Sequence, residues 1–308
     1  MKTRKHRAGT VSYSGRAFRG TYTAVVTPFT PSGKVDYGRI CVNTGRQVKG
    51  GVQGVVPVGT TGESPTVSFE EHSHIIAESV RAAKGRIKVI AGTGANSTEE
   101  AVYLTKEAER AGADGSLQVA PYYNKPSQDG LFHHFKTVAD ATKLPIILYN
   151  IPGRCGIDIA LDTVCALRQV CPNIVGIKVA NGSLDYVSEL RLSLGDEFTI
   201  LSGDDSLTVP MMSLRADGVI SVVSNVIPDR VVKMVNAMLS GDLAIAWHHH
   251  YRLFPLVKAV FRENNPAGIK YAMELLGWDS GVLKLPVVRI SKSADEVRTA
   301  LRSLDLLR

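Results

Sequence analysis

The feature that most constrains this chain is a repeat of short apolar runs rich in β-branched residues, separated by stretches with helical periodicity. The runs are "TYTAVVTPF" at 21, "VQGVVPVGT" at 52, "IKVIAGTG" at 87, "GSLQVAPYY" at 115, "LPIILYN" at 144, "IVGIKVA" at 174, "FTILSGDD" at 198 and "DGVISVVSN" at 217. Between them, stretches such as "SFEEHSHIIAESVRAAKG" (68–85) and "STEEAVYLTKEAERAGA" (97–113) start with acids and end near glycine, as amphipathic helices do. Apolar strands alternating with helices imply a parallel sheet covered on both faces. Eight such units in about 220 residues predict an α/β fold of the closed (β/α)8 TIM-barrel type. A dinucleotide-binding sheet would carry its glycine fingerprint after the first strand, where "TPFTPSGKVD" stands instead.

Strand patterning stops near residue 240. The segments "GDLAIAWHHHYRLFPLVKAVFREN", "NPAGIKYAMELLG" and "SADEVRTALRSLDLL" then read as helices. The expected organisation is a basic, disordered extension over 1–19, a barrel over 20–240 and a small C-terminal helical domain over 241–308 packed on it.

Composition removes several function classes. Six of the seven net positive charges fall in residues 1–19, which hold no acid, so the rest of the chain carries +1 and is no nucleic-acid surface. No apolar run approaches the ~18 residues needed to span a bilayer, and "MKTRKHRAGTVSYSGRAFRG" lacks a signal-peptide core. The expectation is a cytoplasmic protein that touches no membrane. Cys41, Cys155, Cys165 and Cys171 have no CxxC spacing and read as reduced thiols. The run His248–His250 does not read as a metal site, because consecutive helical residues point about 100° apart. No metal or cofactor is expected.

In such barrels the chemistry sits at the C-terminal ends of the strands. Here those ends carry "GTTGES" (59–64), "APYYNKP" (120–126), "YNIPGRCG" (149–156), Lys178 and "SGDD" (202–205). The glycine-containing turn at Thr60 and Thr61 offers backbone N–H groups and hydroxyls that fit a small carboxylate or a phosphate. Lys178 closes an apolar central strand, where it has little room to snorkel. It is either a structural lysine paired with Asp204 or Asp205, or a desolvated amine able to attack a carbonyl. Tyr149, one strand away, is positioned as a proton carrier, although a buried tyrosine also serves as core. Arg154 in the following turn can grip a carboxylate bidentately or stand as a surface charge. Together these residues describe an aldolase handling small keto or aldehyde acids.

At this point the chain resembles the dihydrodipicolinate synthase (4-hydroxy-tetrahydrodipicolinate synthase) family of pyruvate-dependent class I aldolases, a superfamily that includes N-acetylneuraminate lyase. The likeness runs from about Gly20 to the C-terminus through "GTTGES", "AGTGANST", "PYYNKPSQDGL", "YNIPGRCG", "GIK" and "SGDD". It implies that Lys178 forms an imine with pyruvate and that Thr61 holds the pyruvate carboxylate. It also implies that Thr60, Tyr149 and a Tyr123 from a neighbouring subunit relay protons. Arg154 matches the arginine that binds L-aspartate-4-semialdehyde, and Gly203 and Ile220 fall on positions lining the pyruvate pocket. The implied assembly is a homotetramer, a dimer of dimers. An allosteric L-lysine site is implied at Ser64, His72, Asn96, Glu100 and Tyr122, although Pro65 and Phe69 stand where lysine-sensitive members commonly have polar or small residues. Two departures touch the site, Cys155 where threonine is common and Val179 where glutamate usually follows the lysine.

The implied function is condensation of pyruvate with aspartate semialdehyde in lysine and diaminopimelate biosynthesis. The alternatives are another pyruvate aldolase, acting on a 2-keto-3-deoxy sugar acid, 4-hydroxy-2-oxoglutarate or N-acetylneuraminate, or a non-catalytic barrel that binds a keto acid or, through its tail, RNA.

Overall fold

The structure, a computed structural model, describes residues 13–307. Eight parallel strands close on themselves in sequence order: β1 Gly20–Ala24, β2 Gly54–Val56, β3 Lys88–Gly92, β4 Gly115–Val119, β5 Ile146–Asn150, β6 Ile174–Val179, β7 Thr199–Ser202 and β8 Gly218–Ser221. The helices between them are α1 Tyr37–Lys49, α2 Phe69–Ala83, α3 Thr98–Arg110, α4 Gln128–Asp140, the single turn α5 Pro152–Cys155, α6 Leu161–Val170, α7 Leu184–Leu194 and α8 Thr208–Ser213. Then come α9 Pro228–Ser240, α10 Leu243–Val260, α11 Ala267–Leu275 and α12 Ala294–Ser303. The expected (β/α)8 barrel with C-terminal helices is the observed fold.

Local sequence sets the helix starts. Asp36, Ser68, Ser97, Ser127 and Ser183 each accept a hydrogen bond from a first-turn backbone N–H, and Ser68 with Glu71 completes a reciprocal capping box. Such caps each stabilise by about 1 kcal/mol. The seam between β1 and β8 needs glycine. Gly218 has φ +152, and a Cβ there would run into the Gly20 backbone.

Two findings refine the predicted organisation. Residues 13–19, expected to belong to a solvated extension, pack against the N-terminal end of the barrel. Tyr13 donates to Lys143 O at 3.0 Å, Gly15 N to Glu197 O at 2.9 Å, Arg19 pairs with Asp217 at 3.0 Å, and Phe18 is buried. Burial of Phe18 and pairing of the two ends of this short turn supply what a free tail lacks. Residues 1–12 of the expected extension lie outside the described residues. In addition, Leu253, Leu256 and Val260 of α10, Ile269 and Met273 of α11, and Val297 and Leu301 of α12 join the same apolar cluster as Tyr149, Ile177 and Ile220 of the strands. The C-terminal helices therefore share the barrel's core, and α10 and α11 bring the loop between them to the strand ends.

Candidate active site

The site is built on β5 and β6. Their pairing shifts between Ile146↔Ile174 and Ile147↔Gly176, which leaves Val175 as an extra residue and brings Tyr149 opposite Lys178. Without it, Tyr149 would pair with Ile177. A bulge of this kind re-aims one side chain. Directly paired residues project from the same face of a sheet, and the Lys178 ammonium nitrogen lies 4.1 Å from the centroid of the Tyr149 ring.

Lys178 is buried, with 6% of its surface exposed, and no described carboxylate comes within ion-pair distance of it. Burial lowers its pKa from 10.5 to about 7, with Arg154 pushing the same way and Asp205 opposing. The reading in which Lys178 is a structural partner of Asp204 or Asp205 thus loses its ion pair. Asp205 instead spends its carboxylate on the strand end of β8, accepting from the Ser221 hydroxyl, Val222 N at 2.8 Å and Val223 N at 3.3 Å. Gly203 closes over the lysine, and a Cβ there would lie 2.9 Å from Lys178 Cε. Only glycine lets β7 approach so near.

Tyr149 is equally buried. Its hydroxyl is held above its ordinary pKa by burial, with Arg154 and a hydrogen bond with the Thr60 side chain pulling the other way. Thr61 is buried and its hydroxyl accepts from Asn265 Nδ2 at 3.0 Å. Arg154, in the α5 turn, donates to the Asn265 carbonyl at 3.2 Å. A cavity of about 60 Å³ is bounded by Thr60, Thr61, Tyr149, Arg154, Lys178 and Gly203, and a wider one of about 220 Å³ adjoins it through Thr60, Tyr149 and Arg154. An amine that sheds its proton near pH 7 thus faces a small chamber beside a hydroxyl pair, with a guanidinium at its rim. That arrangement suits attack on the carbonyl of a small acid.

Most of the predicted residues meet here. Ile220 is buried within β8, and the residue from that side that lines the chamber is Val222. Tyr123 is 90% exposed with φ +75, so its ring lies on the surface of the protomer. Ser64 and Tyr122 line the wider cavity, and Asn96 donates to Tyr122 O at 3.2 Å. The charge of Glu100 acts on the Tyr122 hydroxyl, whose pKa is raised chiefly by burial. His72 is buried on α2, and burial lowers its pKa to about 4, so it is neutral near pH 7. Cys155, also buried, is pushed up to about 11 and is a thiol at that pH. Val179 points into the core, fully buried.

Sequence reasoning missed Asn265 and Phe261, which reach the chamber from the loop after α10. No local pattern marks them, because their position depends on how α10 packs.

The sequence model described as "Dihydrodipicolinate synthetase family" matches residues 17–304. The chain is 48% identical over 292 residues to the 4-hydroxy-tetrahydrodipicolinate synthase of Endomicrobium trichonymphae, covering 94% of this chain and 100% of that one. Among solved structures, dihydrodipicolinate synthase from Aquifex aeolicus superposes with a TM-score of 0.92 at 46% identity, over 94% of this chain and 99% of the other. The Cyanidioschyzon merolae enzyme, solved with lysine bound, gives a TM-score of 0.92 at 40% identity, over 94% and 99%.

Proposed function

The chain belongs to the dihydrodipicolinate synthetase family, and we propose that it is a 4-hydroxy-tetrahydrodipicolinate synthase, a Schiff-base lyase with residues 20–240 as its catalytic barrel and 241–308 as a helical appendage. The observation that carries the site assignment is Lys178, a buried amine with pKa about 7 opposite Tyr149. In this reading the neutral amine attacks C2 of pyruvate, and the carbinolamine loses water as Tyr149, backed by Thr60, supplies the proton. Thr61 holds the pyruvate carboxylate. The imine gives up a C3 proton to become the enamine, whose C3 attacks the aldehyde carbon of L-aspartate-4-semialdehyde while its carbonyl oxygen gains a proton. The amino group of the adduct then attacks C2, closing the ring and releasing Lys178 as a free amine. No step needs a metal or cofactor.

Arg154 at the rim suits the carboxylate of the incoming semialdehyde, the feature that favours this aldehyde over sugar-acid substrates. Tyr123 of the partner subunit completes the proton relay, which makes a dimer the smallest active unit and a dimer of dimers the proposed assembly. Light scattering on the purified chain tests this assembly, and a monomer, the state of one solved dihydrodipicolinate synthase variant 38% identical to this chain, would refute it. L-lysine is the proposed inhibitor, bound at Ser64, His72, Asn96, Glu100 and Tyr122. No described helix is long and apolar enough to cross a membrane, and the proposed location is the cytoplasm.

The test is incubation with pyruvate and borohydride, followed by peptide mass mapping. A pyruvyl adduct on Lys178 is expected; an unmodified Lys178 would end the Schiff-base reading.

A further inference from the structure

The turn that carries Thr60 and Thr61 is held from outside by a buried ion pair. Glu63, 3% exposed, sits at the far end of that turn in the left-handed region, with φ +56 and ψ +37, which non-glycine residues rarely adopt. Its Oε1 accepts from Lys270 Nζ at 2.9 Å and its Oε2 from the Lys284 backbone N at 2.9 Å. Lys270, on α11, is fully buried, lies 4.2 Å from the Phe29 ring centroid, and also donates to Thr27 O at 2.8 Å. Thr27 in turn donates through its hydroxyl to Gly62 O at 2.6 Å. Asn265, just before α11, holds Thr61 directly. Asp279 is a second buried carboxyl group nearby, its pKa raised by burial with the Lys270 charge pulling the other way.

A charge pair so buried is a poor device for stability, since apolar residues of similar volume often do as well or better. It is a good device for direction. Its hydrogen bonds fix the Glu63 carboxylate at both oxygens and so fix the turn from residue 59 to 64. We propose that Glu63 and Lys270 are positioning residues, tying the α11 segment to the Thr60–Thr61 turn so that both threonines face the Lys178 chamber. This inference rests on the roles given above to Thr60 and Thr61.

Its signature is selective. Loosening the turn displaces the groups that receive pyruvate first, while Arg154 is carried by the α5 turn after β5 and reaches the α11 segment only through the Asn265 carbonyl. The Glu63→Gln/Lys270→Met double variant removes both charges of the pair together, and Asp279, already pushed toward its protonated form by burial, takes up a proton more readily once the Lys270 charge is gone. A displacement near 1 Å predicts a rise of about tenfold to hundredfold in the pyruvate concentration giving half-maximal trapping on Lys178. The KM for the semialdehyde and the thermal midpoint stay close to those of the parent. Thr27→Val, a near-isosteric change that removes only the hydrogen bond to Gly62 O, should show the same selectivity at smaller size and carries the test if the double variant does not fold.

Borohydride trapping of the parent chain separates the two levels of argument. No adduct in the parent overturns the underlying reading of the site. An adduct in the parent, with variants that trap at the parent's half-saturation, overturns the positioning role alone. So does a loss of trapping amplitude at unchanged half-saturation, or an equal rise in KM for both substrates.

Discussion

Burying Lys178 destabilises the folded protein by an amount that depends on pH, and this gives a test independent of catalysis. Its pKa is 10.5 when exposed and about 7 in the fold. Below pH 7 both states are protonated and the full cost applies, about 5 kcal/mol for a shift of this size at 1.36 kcal/mol per unit. Between 7 and 10.5 the unfolded chain binds the proton and the folded chain does not, so stability rises with pH across this window and the cost falls. The cost is about 4 kcal/mol at pH 7, about 3 at pH 8 and under 1 at pH 10, from the same linkage. Replacing Lys178 with methionine, which has similar reach and no charge, removes this term. Asp205 loses a favourable charge but keeps its bonds to Ser221, Val222 and Val223, so part of the gain is given back. The expected result for Lys178→Met is an inactive protein more stable by about 2–4 kcal/mol at pH 7, with the advantage under 1 kcal/mol at pH 10. Urea unfolding of both proteins at pH 7, 8.5 and 10, at one fixed protomer concentration, measures it. A variant that is less stable at pH 7, or a gain that does not shrink with pH, would refute the reasoning.

The same depressed pKa predicts that the single-turnover rate of imine formation with pyruvate rises through about pH 7 and then levels off; a rate still climbing at pH 9–10 contradicts it. Arg154→Ala should lower kcat/KM for aspartate semialdehyde by about 10²–10³, the loss of a two-pronged charged contact, while pyruvate trapping persists. Because Arg154 pushes the Lys178 pKa down, that variant's trapping profile should also shift to higher pH. Initial rates in millimolar L-lysine should fall, and unchanged activity at that concentration removes the proposed inhibitor site.

The barrel is legible as a periodic signal, and the proposed nucleophile Lys178 as a residue that interrupts one. A polar residue that closes an apolar strand has only the mouth to face, which is why Lys178 and Tyr149 stand out from the residues alone, whereas the relay role of Thr60 comes with the resemblance. Contacts between distant segments left no such mark. The extra residue at Val175 sets which side chain opposes Tyr149, yet "IVGIKVA" reads the same with or without it. Asn265 and Phe261 enter the chamber only because α10 packs across the strand ends. Ile220 is assigned to the pyruvate pocket by resemblance alone, and the nearby residue seen lining the chamber, Val222, lies just past the end of β8 where no strand pattern marks it. The packing of residues 13–19 depends on Glu197 and Asp217, nearly two hundred positions away.

The rule that singled out Lys178, a lysine inside an apolar run, applies equally to Lys270 in "AGIKYAMEL". In the sequence Lys178 closes a strand and Lys270 lies on a segment that reads as a helix, and their partners separate them further. Lys270 has a carboxylate at 2.9 Å and a carbonyl at 2.8 Å, so its ammonium is fully engaged. Lys178 has an aromatic face, a chamber and, among the described residues, no carboxylate within ion-pair distance. A buried lysine bonded to a carboxylate and a carbonyl serves as an anchor, while Lys178, whose pKa burial lowers to about 7, is the proposed nucleophile. Mass mapping after pyruvate and borohydride should therefore find the adduct on Lys178 and leave Lys270 unmodified, and an adduct on Lys270 would mean that burial and pairing are the wrong criteria for telling the two apart.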